Sequence, residues 1–85
     1  MNKIFSDIAW KQYTSWLDED RKILKRINDL IKDIERNGNK GIGKPEPLRY
    51  ELSSYWSRRI DSSNRLIYRI NNNQIEVIQC KGHYE

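Results

Sequence analysis

Several residue types that carry protein chemistry are scarce in this 85-residue chain, which has one cysteine, one histidine and two prolines. Because Cys80 is alone, no intramolecular disulfide can form, and a reducing compartment fits best. There is no long apolar run and no basic, apolar and small-residue pattern at the N-terminus, so we expect neither a membrane span nor a signal peptide. These absences predict a cytoplasmic protein.

The composition is that of one small globular domain covering residues 1–85, with 36% hydrophobic and 33% charged residues. The apolar residues fall in periodic blocks, which is not typical of a disordered chain. The net charge is +4, and arginine makes up five of the seven basic residues after position 40. A planar guanidinium can form two parallel hydrogen bonds to a phosphate, which an ammonium cannot. The arginines therefore indicate an anionic partner, and nucleic acid is the first candidate. Arginines for solubility alone are the simpler alternative.

The first forty residues predict a short strand at "KIFS" and two helices. Ser6 and Asp7 are N-cap residues for a helix to about Asp18, with an apolar stripe at Ala9, Tyr13, Trp16 and Leu17. "DED" at 18–20 offers carboxylates to the start of a second helix. That helix has an apolar stripe at 23, 24, 27, 30, 31 and 34, and we expect it to end at Gly38. Trp10, Trp16 and Trp56 are interpreted as core residues.

The remainder changes to a period of two, in the segments "PLRYEL", "YWSRRID", "RLIYRI" and "QIEVIQC". Short polar turns between them predict antiparallel hairpins. The fold class is therefore α+β, with two N-terminal helices packed on one face of a mainly antiparallel sheet. If Leu66 and Tyr68 face the helices, Arg65 and Arg69 face away, and parity puts Arg59 with them. We expect an arginine-bearing sheet face that no helix covers.

Cleavage of an RNA phosphodiester requires a base for the 2′-hydroxyl, an acid for the 5′-oxygen and cations for the phosphorane. Glu46 is a candidate base because the prolines on either side restrict its backbone. His83 is a candidate acid because imidazole changes protonation near neutral pH. A loop glutamate in an ion pair and an incidental terminal histidine are the alternatives.

Candidate cations and aromatic residues for binding RNA lie in the same part of the chain, after position 40. Arg65 and Arg59 are candidates for holding the phosphate, with Lys44 and Arg49 at the rim, and Tyr55 and Tyr84 for stacking on bases. Strand arginines in salt bridges are the alternative. Cys80 and His83 form C-x-x-H, but two ligands do not make a zinc site, so we expect no metal and no cofactor.

The stretch "GKPEPLRYELSSYWSRRID", followed by "RLIY" and a terminal "HY", resembles the YoeB (Txe) branch of the RelE-like toxins of bacterial toxin–antitoxin systems. The resemblance covers nearly the whole chain, including "INDLIKDIERN" in the second helix. It implies a microbial-RNase-like fold and a ribosome-dependent messenger-RNA endonuclease that cuts in the ribosomal A site and halts translation.

Carried over by motif, the resemblance implies Glu46 as general base, His83 as general acid and Arg65 as transition-state stabiliser. Lys44, Arg49, Arg59 and Tyr84 are expected to bind or orient RNA. The implied partners are an antitoxin of the YefM (Phd) type, whose acidic C-terminal segment covers the toxin, and a second copy of the toxin. Operator DNA is expected to be contacted only through the toxin–antitoxin complex.

The chain departs from the family pattern near its end. Gly82 stands where a bulkier residue often precedes the histidine, so weaker anchoring of His83 is expected. Glu85 extends past the usual His-Tyr ending and brings a carboxylate close to the presumed acid. Two other functions stay open: a non-catalytic toxin that acts on a protein target, as the related ParE toxins act on gyrase, and an RNA-binding module. Retention of Glu46, Arg65 and His83 favours the nuclease.

Overall fold

The computed structural model describes residues 1–83, and Tyr84 and Glu85 lie outside the described residues. The elements are β1 (Asn2–Phe5), α1 (Asp7–Glu19), α2 (Arg21–Asn37), β2 (Glu46–Pro47), a 3₁₀ turn (Tyr50–Leu52), β3 (Trp56–Arg59), β4 (Arg65–Asn71) and β5 (Gln74–Gln79). The strands form one sheet in the order β1-β5-β4-β3-β2, in which only the β1–β5 pair is parallel within the described span. The predicted α+β class is confirmed.

Both predicted helices are present, and side chains cap their N-termini as the sequence indicated. The Ser6 hydroxyl accepts a hydrogen bond from the backbone N–H of Ala9 at the start of α1. The Asp20 carboxylate accepts one from the N–H of Lys22 at the start of α2, and Gly38 caps the end of that helix. Such caps each stabilise a helix by about 1 kcal/mol because they satisfy N–H groups that have no partner inside the helix.

The core lies between the helices and one face of the sheet. Ile27, Leu30 and Ile34 of α2 are fully buried against sheet residues such as Leu66 and Tyr68. Burying each such aliphatic side chain stabilises the fold by about 1.5–3 kcal/mol. None of the helices within residues 1–83 has the length and apolarity that crossing a bilayer requires.

Three predictions about the fold are wrong. "PLRYEL" is not a strand, because β2 ends at Pro47 and the chain then turns through Tyr50, which has a left-handed φ of 59° and is 86% exposed. Trp10 is not a core residue: 53% of its surface is exposed, while its ring packs edge-on against Phe5. Leu17, predicted on the apolar stripe of α1, is 45% exposed.

Candidate functional site

The sheet face opposite the helices brings together residues from three strands. Glu46 lies directly opposite Ser57, and Arg59 lies directly opposite Arg65. Ser57 and Arg59 are two residues apart on β3, so all four side chains emerge on one face. With strands about 4.8 Å apart and a rise of about 3.3 Å per residue, the Cα atoms of Glu46 and Arg65 are about 12 Å apart. Two long side chains can reach one phosphate across that distance.

The loop before β2 holds Lys44 and Glu46 against β3. The backbone N–H of Arg59 donates to the carbonyl oxygen of Gly43 at 2.6 Å. Gly43 has a φ of 80°, and a Cβ there would lie 2.8 Å from Leu30 Cδ2 and 3.1 Å from the Arg59 carbonyl oxygen. Glycine is therefore required for the loop to approach the strand this closely. Lys44 follows at once, with a φ of 50° and an exposed side chain.

A buried arginine, Arg58, holds the same loop from the core side of the sheet. Arg58 is fully buried, and all five of its N–H groups donate hydrogen bonds. The acceptors are the Asp33 carboxylate, the Tyr68 hydroxyl and the carbonyl oxygens of Gly38, Lys40 and Ile42. These bonds connect the end of α2 to the segment that leads into Glu46. No role was predicted for Arg58, although it shares the parity of Trp56 and Ile60, which places a charge on the core side of the sheet, where it needs partners.

Two pKa shifts accompany the contacts of Arg58. The hydrogen bond from Arg58 lowers the pKa of the Asp33 carboxyl, although partial desolvation opposes the effect. Desolvation raises the pKa of the Tyr68 phenol, whose hydroxyl donates to Asn39 Oδ1 at 3.1 Å. At neutral pH Asp33 is therefore ionised and Tyr68 is neutral, so the loop that precedes Glu46 rests on a network whose protonation states are fixed.

The segment before His83 is anchored at each of its residues. The Cys80 N–H donates to Gln12 Oε1 at 2.8 Å, and its carbonyl accepts from the Trp16 indole at 3.1 Å. The Lys81 ammonium pairs with Glu19 and lies 4.7 Å from the centre of the Trp16 ring. The chain is therefore held in place as far as Lys81, while the weaker anchoring predicted for His83 itself stays a prediction.

Gly82 is held as well, and it brings His83 to the site. The Arg65 N–H donates to the Gly82 carbonyl oxygen at 2.9 Å, and the Gly82 N–H donates to Asn64 Oδ1 at 2.8 Å. His83 is exposed and directly follows Gly82. Because Gly82 is hydrogen-bonded to Arg65, His83 lies one residue along the chain from a direct contact with the arginine that is expected to bind phosphate. Gly82 has a φ of 82°, which glycine adopts without the strain that a larger residue would incur.

Ion pairing divides the arginines into two groups. Arg58 pairs with Asp33, and Arg69 pairs with Glu76 while its guanidinium lies 5.0 Å from the centre of the Tyr55 ring. By contrast, within residues 1–83 no carboxylate pairs with Lys44 or with the other three arginines that follow position 40, which are Arg49, Arg59 and Arg65. Glu46 has no cationic partner in that span either. The unpaired cations remain available to an external anion.

The structure thus brings most of the predicted site residues to one region. Glu46, Arg59 and Arg65 share the sheet face, Lys44 directly precedes it, and His83 adjoins the start of β4. Arg49 is exposed but lies in the turn after β2 rather than on a strand. Tyr84 lies outside the described residues. The face is partly closed, since Ser57 and Ile67 on it are buried.

Within residues 1–83, this region has neither a reactive cysteine nor a group of side chains that could bind a metal ion. Burial raises the pKa of the Cys80 thiol to about 12, so the thiol stays protonated and is a poor nucleophile. Within residues 1–83 no three His, Cys, Asp or Glu side chains are grouped to hold a metal ion.

Comparison with known proteins defines the class. Residues 5–84 match the family of the "YoeB-like toxin of bacterial type II toxin-antitoxin system". Toxin YoeB of Streptomyces coelicolor is 49% identical over 84 residues, which cover 99% of this chain and 100% of that one. The fold and these matches define a small toxin of a type II toxin–antitoxin system. The chain belongs to the YoeB-like toxin family.

Solved structures agree with this assignment over the full fold. The YoeB/ParE toxin from Agrobacterium tumefaciens has a TM-score of 0.96 and 40% identity, covering 99% of this chain and 100% of that one. YoeB from Staphylococcus aureus has a TM-score of 0.93, with 45% identity as a dimer and 44% in a YoeB–YefM complex. In both, the match covers 99% of this chain and 98% of the other.

Proposed function

We propose that this toxin is a metal-independent endoribonuclease that cleaves messenger RNA by attack of a 2′-hydroxyl on the adjacent phosphate. The Glu46 carboxylate removes the proton from the 2′-oxygen as that oxygen bonds to phosphorus. The bond from phosphorus to the 5′-oxygen breaks, and protonated His83 supplies the proton to the departing oxygen. The products are a 2′,3′-cyclic phosphate and a 5′-hydroxyl, and no metal is needed because the RNA carries its own nucleophile.

In this mechanism the arginines stabilise negative charge on the phosphate and bind the RNA. Arg65 stabilises the extra negative charge of the phosphorane, and Arg59, Arg49 and Lys44 bind the RNA backbone, with Tyr84 orienting a nucleotide. The observation that carries the proposal is the shared sheet face. On it, a carboxylate and two guanidinium groups without carboxylate partners in residues 1–83 lie beside the anchored segment that leads to His83.

The substrate that we propose is messenger RNA in the ribosomal A site, so that cleavage inhibits translation. This part rests on the membership in the YoeB-like family and on the basic character of the chain, which has a net charge of +4. A positive surface attracts polyanionic RNA and speeds its association. Ribosomes and messenger RNA also make the cytoplasm the compartment in which the toxin acts.

The antitoxin that we propose is a YefM-type protein, as in the S. aureus complex. Its acidic segment would cover Arg59 and Arg65, because carboxylates satisfy the same guanidinium groups as phosphate does. Antitoxin and RNA would then compete for one surface, which explains neutralisation without any change in the fold.

We also propose that the toxin self-associates, as S. aureus YoeB does in its dimer. Ile4, Ile8 and Trp10 are between 43% and 66% exposed, on the edge strand β1 and the first turn of α1. Trp10 and Phe5 also line an open groove of about 480 Å³ between β1 and the helices. Exposed apolar surface of this kind marks an interaction site in many small proteins.

The test of the nuclease proposal uses purified toxin, ribosomes programmed with end-labelled messenger RNA, and mapping of both new ends. We expect a cut with a 2′,3′-cyclic phosphate, and a loss of at least 100-fold for Glu46→Gln and His83→Ala. Lys25→Ala is the matched control, since Lys25 forms an exposed pair with Asp29 on α2. Intact RNA together with arrested replication would instead assign the toxin to a protein target.

A further inference from the structure

A buried asparagine next to the site connects two segments of the chain that are distant in sequence. Asn64 lies in the turn between β3 and β4, and only 9% of its surface is exposed. Its Oδ1 accepts the hydrogen bond from the Gly82 N–H at 2.8 Å, across 18 positions of sequence. Its Nδ2 donates to the two Asp61 carboxylate oxygens at 3.1 and 3.3 Å.

These contacts define the orientation of the Asn64 amide. An inverted amide would place an oxygen against the Asp61 carboxylate and an NH₂ group against the Gly82 N–H, so both ends would repel. Asp61 is itself fixed, because its Oδ1 also accepts from the backbone N–H groups of Ser63 and Asn64, at 2.8 and 2.7 Å. The turn is therefore a preformed acceptor aimed at Gly82.

Gly82 has no side chain that packing could hold, and a Cβ added to it would meet no atom within 4 Å. Its position therefore depends on hydrogen bonds of its backbone, and the bond to Asn64 is one of them. Its carbonyl oxygen accepts from the Arg65 N–H at 2.9 Å and, more weakly, from Gln79 Nε2 at 3.4 Å. Hydrogen bonds thus fix the peptide units on both sides of Gly82, and the next residue is His83.

We propose that Asn64 is a positioning residue for the general acid. It holds the Gly82 peptide against the start of β4, so that the His83 imidazole reaches the departing 5′-oxygen of a phosphate bound at Arg65. This inference rests on the proposed nuclease function. Proton transfer requires an approach of about 2.6–3.2 Å, and an error of about 1 Å in placement reduces a rate by about 100-fold.

The test compares two RNA substrates that differ in one atom at the cleavage site. One carries the normal 5′-oxygen, and the other carries a bridging 5′-sulfur, a leaving group that departs as thiolate without help from an acid. We expect Asn64→Ala to lower cleavage of the oxygen substrate by about 10- to 100-fold and of the sulfur substrate by less than about 3-fold. His83→Ala should show the same pattern, and Glu46→Gln should be impaired on both substrates.

Exchanging the side chains at positions 61 and 64, which conserves the total charge, should restore the activity that Asn64→Ala loses. In the double variant Asp61→Asn with Asn64→Asp, the amide at 61 can donate to the carboxylate at 64, which still accepts from the Gly82 N–H. We expect this variant to recover cleavage of the oxygen substrate to within about 5-fold of wild type, the range expected when a hydrogen bond is retained. Gln79→Met removes only the longer hydrogen bonds from Gln79 Nε2 to the carbonyl oxygens of Lys81 and Gly82. We expect it to lower cleavage of the oxygen substrate more than that of the sulfur substrate, by a smaller factor than Asn64→Ala does. It replaces Asn64→Ala in the test if that variant does not fold.

Four outcomes would contradict the proposals, and they distinguish the positioning role from the nuclease function. Equal losses on both substrates, or no loss for Asn64→Ala, would overturn the positioning role while leaving the nuclease function intact. A double variant that folds but is as inactive on the oxygen substrate as Asn64→Ala would also overturn it. A wild-type toxin that cleaves neither substrate on the ribosome would overturn the nuclease function itself, and this proposal with it.

Discussion

The backbone N–H of Arg65 and the carbonyl oxygen of Gly82 lie 2.9 Å apart and form a hydrogen bond. This bond extends the pairing of the sheet by one contact beyond the end of β5, and it joins the residue expected to bind phosphate to the one that precedes His83. Charge stabilisation and acid catalysis at one phosphate need such proximity, because both groups must act in the same transition state. Backbone register thus defines the site as much as the side chains do.

Three arginines on this sheet face provide an internal comparison for antitoxin binding. We expect Arg59→Ala and Arg65→Ala each to weaken binding of a YefM-type antitoxin by at least about 10-fold and to reduce its salt dependence. Arg69→Ala is the matched control, because Arg69 already pairs with Glu76 and should cost less than about 3-fold. Calorimetric titrations at several salt concentrations measure all three, and equal effects of the three substitutions would contradict the proposed surface.

The stability of the toxin should depend strongly on Arg58. Replacing it by Met would leave the Asp33 carboxylate and three backbone carbonyls without their donor. We expect a loss of about 3–5 kcal/mol in the free energy of unfolding, which is a large part of the total for a domain of this size. Chemical denaturation measures the change. Lys25→Met, at an exposed pair, should change stability by less than about 1 kcal/mol, and similar losses in the two variants would refute a special role for Arg58.

The helices were the most predictable part of the fold. The apolar stripe of α2 and its caps at Asp20 and Gly38 are local patterns, and local patterns dictate a helix without knowledge of the tertiary structure. Arg59 and Arg65 could also be placed on the face away from the helices, because the period of two along a strand is an equally local pattern.

Other features depended on contacts between distant segments. The alternation at Leu48, Tyr50 and Leu52 resembles a strand, but the chain after Pro47 turns instead of continuing along β3. The interactions that hold Gly82 come from Asn64, Arg65 and Gln79, none of which the sequence could assign to it. No periodicity encodes such long-range pairing, so the hydrogen bonds that hold Gly82 could not be predicted.

The pH dependence of stability should carry the signature of Asp33. The pKa of its carboxyl in the folded protein lies below the ordinary value of 3.8, chiefly because of the Arg58 hydrogen bond. The stabilising effect is therefore present above about pH 4 and is lost as pH falls through the lowered pKa. We expect Asp33→Asn to be less stable than wild type at pH 7, and the difference to shrink below pH 4. Thermal denaturation from pH 7 to pH 2.5 measures this difference, with Asp29→Asn as a surface control; a constant difference would contradict the assignment.

The aromatic surface around Trp10 should control self-association. An indole that is 53% exposed and packs edge-on against Phe5 presents apolar area that water solvates poorly, so a second copy covering it would stabilise the toxin. We expect wild-type toxin to sediment as a dimer at micromolar concentration, and Trp10→Ser to sediment as a monomer with its fold intact. Tyr50→Ser is the matched control, because Tyr50 is 86% exposed but lies in the turn after β2, outside this groove. If Tyr50→Ser disrupts the dimer while Trp10→Ser does not, the interface lies at the β2 side of the sheet.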